Sequence, residues 1–161
     1  MHHTQESGEA VLSIGVDIGG TKVAAGVVDE DGEILRHLVR PTPSRSPEAV
    51  ENAIVEVVDS LSDGLPVKSA GIGAAGWVDT EQALVRFSPH LAWRNEPLRD
   101  RLSERIDLPV IVDNDANAAA WAEYEFGAGR DSRVMTCITL GTGIGGALVI
   151  NGRGVRGRSG M

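Results

Sequence analysis

"GVDIGGTKVAAGVVDEDG", residues 15–32, opens as an apolar strand, stops, and resumes as a second apolar strand. The interruption is Asp17-Ile18-Gly19-Gly20-Thr21-Lys22: an acid, a glycine pair, a hydroxyl and a lysine. Two readings fit. Glycines let a main chain take φ > 0 and bring its N–H groups close to an anion, so the turn can cradle a phosphate chain. Thr21 then adds a hydroxyl, Lys22 a charge, and Asp17 a carboxylate suited to Mg²⁺ directly or through water. Alternatively the glycines serve hairpin geometry alone. A P-loop is excluded, because in Gly15-x-x-x-x-Gly20-Thr21-Lys22 the last two residues are reversed and a strand follows where a helix is needed.

Outward from this stretch, "AVLSIGVDI", "KVAAGVVD" and "EILRHLVRP" read as three strands, with Glu30-Asp31-Gly32 as a turn and Pro41 as a stop. "SPEAVENAIVEVVDSLSD" reads as a helix capped by Ser46, with Pro47 at its first position and Val50, Ile54, Val57, Val58 and Leu61 on one face. "VKSAGIGAAGWV", residues 67–78, is expected to be a strand running into small residues. "EPLRDRLSERID", residues 96–107, is expected to be a helix with Leu98, Leu102 and Ile106 aligned. "LPVIVDND" is a short buried strand ending in carboxylates, and "ANAAAWAEYEFGAG" a helix stopping at Gly127 and Gly129.

"GTGIGGALVING", residues 141–152, then repeats the opening theme about 120 residues later. Gly141-Thr142-Gly143-Ile144-Gly145-Gly146 matches G-x-G-x-x-G, but a strand follows it, so a dinucleotide fold is the wrong inference. A second phosphate-binding hairpin, in a second related domain, fits better. The expected division is a tail over 1–11, an α/β domain over 12–131, and the start of a further domain over 132–161.

Asp113-Asn114-Asp115-Ala116-Asn117 resembles a calcium loop but lacks its glycine and its distal glutamate. Asp115 is placed either to cap the third helix or to accept a proton from a substrate hydroxyl at a strand's C-terminal end. In "GIGAAGWVD" and "FSPHLAW", small residues permit close approach of a ligand to the backbone; Trp77 and Trp93 read as core or wall. His90 either hydrogen-bonds a polar ligand or sits in a loop.

Composition narrows the classes. With 42% hydrophobic and 24% charged residues, the 161-residue chain is globular in type. Fifteen basic against 23 acidic residues, net −8, argue against a nucleic-acid partner. No apolar run approaches the roughly 20 residues of a membrane helix. The start, "MHHTQESGEA", has no signal-peptide pattern, and one cysteine, Cys137, permits no intrachain disulfide. A cytoplasmic setting and a buried thiol are the expectations.

"DIGGTK", "GIGAAGWVD", "SPHLAW", "VDNDANAAAWAEY" and "TLGTGIGGALVINGRGVRG", in this order and spacing, resemble the ROK family of sugar kinases, repressors and open reading frames. The likeness runs from about Leu12 to the end and is strongest to the family's bacterial ATP-dependent glucokinases. It implies an actin-like ATPase, sugar-kinase (ribonuclease H-like) α/β fold of two domains, and phosphorylation of a hexose, glucose first, at the 6-hydroxyl, as in glycolysis. By resemblance, Asp17, Gly19, Gly20, Thr21 and Lys22 lie along the phosphates of ATP, as do Gly141, Thr142, Gly143 and Gly145. Asp17 lies near Mg²⁺. Asn114 and Asp115 match a sugar-binding Asn and the catalytic Asp, with Gly76 and His90 beside the sugar. His90 stands where the family often has Asn, and Asp113 where it often has Glu.

The family pattern continues past "VRGRSGM" with a Glu-x-x-His element, a His/Cys site for structural Zn²⁺ and an adenine pocket; these 161 residues hold none of them. The chain is therefore expected to be an incomplete fragment, inactive alone, of a protein that is a homo-oligomer at full length. Two other readings belong to different classes. A sugar-responsive regulator would need a helix-turn-helix ahead of Asp17, where no room is expected. A non-catalytic nucleotide-binding lobe would bind ATP without phosphorylating sugar.

Overall fold

The computed structural model describes residues 11–160, residue 142 excepted. The expected tail, apart from Val11, and Thr142 lie outside the described residues.

Strands β1 (Leu12–Ile18), β2 (Lys22–Val28) and β3 (Ile34–Pro41) form an antiparallel meander, with Val16 opposite Ala25 and Ala25 opposite Leu38. Helix α1 (Pro47–Ser62) crosses over and returns the chain as β4 (Val67–Ala74), parallel to β1 on its free side. Ser46 Oγ accepts from the Ala49 amide at 3.2 Å, the expected cap. Strand β8 (Val110–Asn114) adds parallel to β4, completing a five-stranded sheet of order β3-β2-β1-β4-β8.

Period-two alternation gives this sheet two unlike faces. Ile14, Val16, Ile18, Val23, Val27, Ile72 and Val112 point to one side, where Ile54, Val57 and Val58 of α1 meet them in a sealed core. Leu98 and Leu102 of helix α2 (Leu98–Ser103) join the same core. The opposite side carries Gly15, Asp17, Ala24, Gly26, Gly71 and Gly73, in register across β2, β1 and β4. A floor of glycines leaves room for something to lie on it.

Between β4 and β8 the chain builds a small sheet that the sequence reading does not contain: β5 (Trp77–Val78), β6 (Val85–Phe87) and β7 (Arg94–Glu96). The strand expected over 67–78 breaks after Ala74. The Ala75 amide donates to Ile18 O at 3.1 Å, and Gly76 lies so close to the Phe87 carbonyl that a Cβ would stand 2.5 Å from it. Only glycine fits there. The helix expected over 96–107 is shorter, because the amides of Arg105 and Ile106 both turn back onto Leu102 O. Its three aligned residues are buried nonetheless.

Helix α3 (Asp115–Glu125) follows β8 directly, and ends before Gly127 rather than at it. Strands β9 (Val134–Leu140), β10 (Ile144–Ile150) and β11 (Arg153–Gly154) then make a third, antiparallel sheet against α3. Trp93 is fully buried as expected, whereas Trp77 is 52% exposed and packs on Phe87 at a centroid distance of 5.4 Å. Cys137 is half-buried rather than buried, on the partly covered face of β9 with Met135 and Thr139. No described helix is long and apolar enough to cross a membrane.

Candidate active site

Strands β1, β4 and β8 run parallel and end at one edge, with Asp17, Gly73 and Asp113 in one row and Ile18, Ala74 and Asn114 in the next. Ligands of open α/β sheets bind outside such carboxyl ends. Row partners share a face, so Asp17 and Asp113 flank Gly73 on the glycine side. A Cβ on Gly73 would lie 3.7 Å from Asp115 Cα, at ordinary van der Waals contact, so the start of α3 lies directly over this row.

Asn114, not Asp115, caps α3. Its Oδ1 accepts from the amides of Ala116 (2.9 Å) and Asn117 (3.1 Å), which places Asp115 at the first helical position. The extended backbone at Asn114, φ −65° and ψ 142°, aims its short amide side chain at these amides. Its Nδ2 donates to Gly76 O and to Asp115 Oδ1, each at 2.9 Å. One side chain thus holds the helix start, the Gly76 loop and the Asp115 carboxylate in a fixed relation.

Asp17 opens onto the same space. Desolvation by the surrounding protein raises its pKa above the usual carboxylate value, the Asp115 charge raises it further, and Lys22 works the other way. A pair of carboxylates with one lysine nearby is short of positive charge. Asp17, Asp113 and Asp115 line one cavity of about 1270 Å³, floored by the glycines and walled by Ala119 and Trp121 of α3 and Thr139 of β9.

The first glycine turn is closed by Gly19 N donating to Lys22 O at 3.0 Å and braced by Thr42 Oγ1 on Gly19 O at 2.8 Å. Neither Gly19 nor Gly20 takes a positive φ, contrary to the sequence-based expectation. Gly20 is needed for closeness instead: a Cβ there would stand 2.7 Å from His90 Cβ. The structure therefore sets His90 against the first turn. In the second turn Gly141 N donates to Gly143 O at 2.9 Å, and both glycines face open space. Gly145 fits between Thr139 and Ala116, where a Cβ would lie 2.6 Å from Oγ1 and 2.8 Å from the Ala116 Cβ, so β10 approaches the first turn of α3.

Three residues at this edge escaped sequence reasoning as site residues. Asp113 accepts there from both Gln82 and Arg156. Asp113 was visible within the acidic run, but Gln82 and Arg156 had no local signal, since their partner lies 31 and 43 residues away.

A mixed sheet of this order, with glycine hairpins and carboxylates at its parallel edge, is the actin-like ATPase fold. The chain belongs to the ROK family, whose model matches residues 13–161. It is 51% identical over 150 residues to the glucokinase of Streptomyces coelicolor, covering 93% of this chain and 47% of that protein. To the glucokinase of Thermotoga maritima it is 44% identical over 150 residues, covering 92% and 47%. The crystal structure of a ROK family glucokinase from Streptomyces griseus, in complex with glucose and AMPPNP, matches with a TM-score of 0.89 at 54% identity, over 92% of this chain and 47% of that one. The chain spans about half the length of the relatives it matches.

Proposed function

We propose that this chain forms the front part of a cytoplasmic kinase that transfers the γ-phosphoryl group of ATP to the 6-hydroxyl of a hexose, glucose first. On this reading residues 12–131 are its N-terminal domain and 132–161 open its second, a division supported by β9, β10 and β11 pairing, among the described residues, only with one another. The observation that carries the proposal is the Asn114–Asp115 unit, whose carboxylate is held by the neighbouring amide at the parallel strand edge and faces the Asp17 cavity. Relatives whose names print glucokinase, one of them bound to glucose and AMPPNP, support the choice of substrates.

In the mechanism, Asp115 accepts the proton of the 6-hydroxyl as that oxygen attacks the γ-phosphorus in line. The P–O bond to the β-phosphate breaks, and ADP leaves with its electron pair. Positioning and charge stabilisation supply most of the rate, with proton transfer adding about 10²–10⁴-fold. Asn114 already uses both amide hydrogens and its oxygen, so a sugar hydroxyl would bind by replacing one of these bonds, the one to Gly76 O or to Asp115. Gly76 borders this region, His90, set against Gly20, would lie beside the sugar, and the two glycine turns would run beside the phosphates through Gly19, Gly20, Thr21, Lys22, Gly141, Gly143 and Gly145.

Among the described residues no cluster of three or more His, Cys, Asp or Glu side chains could hold a metal alone. Mg²⁺ needs less, since it is commonly held by one or two carboxylates plus substrate phosphates. Asp17, its pKa raised by desolvation and by the Asp115 charge, fits that need and would hold the ion directly or through water. When bound, the ion would offset charge on the phosphate oxygens.

The test is to express the complete reading frame and follow glucose-dependent ADP formation. Asp115→Ala should lower kcat by at least about 10²-fold with the fold intact by circular dichroism. Turnover within a few-fold of wild type would remove Asp115 as the base. Tight ATP binding with no sugar phosphorylated would favour the non-catalytic lobe.

A further inference from the structure

Asp113 does more than precede the pair. Its Oδ1 accepts from the Asn114 amide (2.7 Å), from Asn117 Nδ2 (3.1 Å) and from Arg156 Nη1 (2.9 Å). Its Oδ2 accepts from Gln82 Nε2 (3.1 Å) and from Arg156 Nη2. Five donors on a carboxylate only 20% exposed leave it little freedom. The guanidinium meets it with two nitrogens on two oxygens, the fork geometry that a lysine cannot reproduce.

The contacts close a circuit. Gln82 follows Asp79, whose Oδ1 accepts from the amides of Ala83 (2.9 Å) and Leu84 (3.0 Å). Gly160 lies on the far side of Asp79, where a Cβ would stand 2.6 Å from the Asp79 carbonyl carbon, and its φ of +94° needs glycine. The segment after β11 is thus pinned at Arg156 and again at Gly160. Between these pins it spans the β5–β6 turn and the end of β8.

We propose that Arg156 is a positioning residue for phosphoryl transfer: through Asp113 it sets the backbone of Asn114 and the first turn of α3, and so the aim of the Asp115 carboxylate. This rests on the kinase reading above. The path is direct. The Asn114 amide is fixed by Asp113 Oδ1, Asn117 of the first turn is fixed by the same oxygen, and Asn114 holds Asp115 Oδ1. Arg156 lies just after β11, the last strand of the second glycine hairpin's sheet, so docking of that segment and alignment of the base become one event. Without Arg156, the half-buried Asp113 would keep only neutral donors and would turn toward water.

The experiment uses the complete kinase and four variants: Asp115→Ala, Arg156→Ala, Arg156→Lys and Asp113→Asn, plus the Asp113→Asn/Arg156→Ala double variant. Arg156→Ala should lower kcat about 10- to 100-fold, with KM for glucose and for ATP within about threefold. Arg156→Lys should recover only a small part of the loss, and added ethylguanidinium should restore part of the activity of Arg156→Ala. Because the two residues act as a unit, the double variant should lose no more than the worse single variant. Unchanged kcat in a folded Arg156→Ala, or losses that multiply in the double variant, would overturn the inference while Asp115→Ala still upheld the kinase reading. If Arg156→Ala does not fold, Arg156→Lys decides: wild-type kcat there overturns the proposal. Full turnover in Asp115→Ala would fell the kinase reading and this inference with it.

Discussion

The β1–β2 and β9–β10 hairpins are each made of two seven-residue antiparallel strands around a glycine turn. Each turn is closed by a glycine amide on a nearby carbonyl, at 3.0 Å in the first and 2.9 Å in the second. Their surroundings could hardly differ more. Ile18 and Val23 of the first are fully buried, while Leu140 and Ile144 of the second are 78% and 81% exposed. The first hairpin has β3 and β4 on its flanks and α1 beneath; the second, among the described residues, has β11 at one edge and α3 on one face. A hairpin is a local outcome of alternation and turn chemistry. Whether its apolar face is buried depends on what else arrives.

The comparison can be broken most directly with core truncations. Ile18→Ala should cost about 2–4 kcal/mol in urea denaturation, the range for removing several buried methylenes. Leu140→Ala should stay within about 0.5 kcal/mol, as exposed positions do. Equal costs would mean that the second face is not free in solution. A smaller contrast lies in the turns themselves. Gly20→Ala drives a methyl group into His90 and should cost about 1–2 kcal/mol, whereas Gly141→Ala meets open space and should be near neutral.

The smallest effect concerns charge. Asp17 has its pKa raised by desolvation and by Asp115, so the folded state holds that proton more tightly than the unfolded chain does. Its contribution to stability therefore falls as pH rises through the folded-state pKa. Asp17→Asn should raise Tm at pH 7 by only about 1–2 °C, because solvent screens an open carboxylate. The gain should vanish as pH drops below the ordinary carboxylate range. If the proposed kinase reading holds, the same substitution should lower activity in the complete protein, separating the demands of stability from those of the site. A Tm difference unchanged down to acid pH would show that Asp17 is not under charge strain.

Much of this was written in local pattern. Alternation marked β1, β2 and β3, helical spacing marked α1, and Ser46 and Pro47 marked its start as found. Asp115 was legible as a candidate because a buried strand ran straight into an Ala-rich helix, and Asn114 because the family resemblance pairs the two. Their division of labour was not: which residue caps α3 depends on the backbone at Asn114, and either side chain is chemically able. The break at Gly76 was hidden for a similar reason. A continuous small-residue run gives no sign that the Phe87 carbonyl will press against one of its glycines.

The amino-acid order alone determined the strands of the five-stranded sheet, the β9–β10 hairpin, the helices, the two glycine turns and the acids at the strand ends, because periodicity and turn preference act within a few residues. Only tertiary structure decided that Asp17, Gly73 and Asp113 share one row, that Gly20 must stay bare beside His90, and that Arg156 reaches back 43 residues to Asp113. Those facts depend on register between distant strands and on the space left between them, and neither is encoded in any window of neighbouring residues.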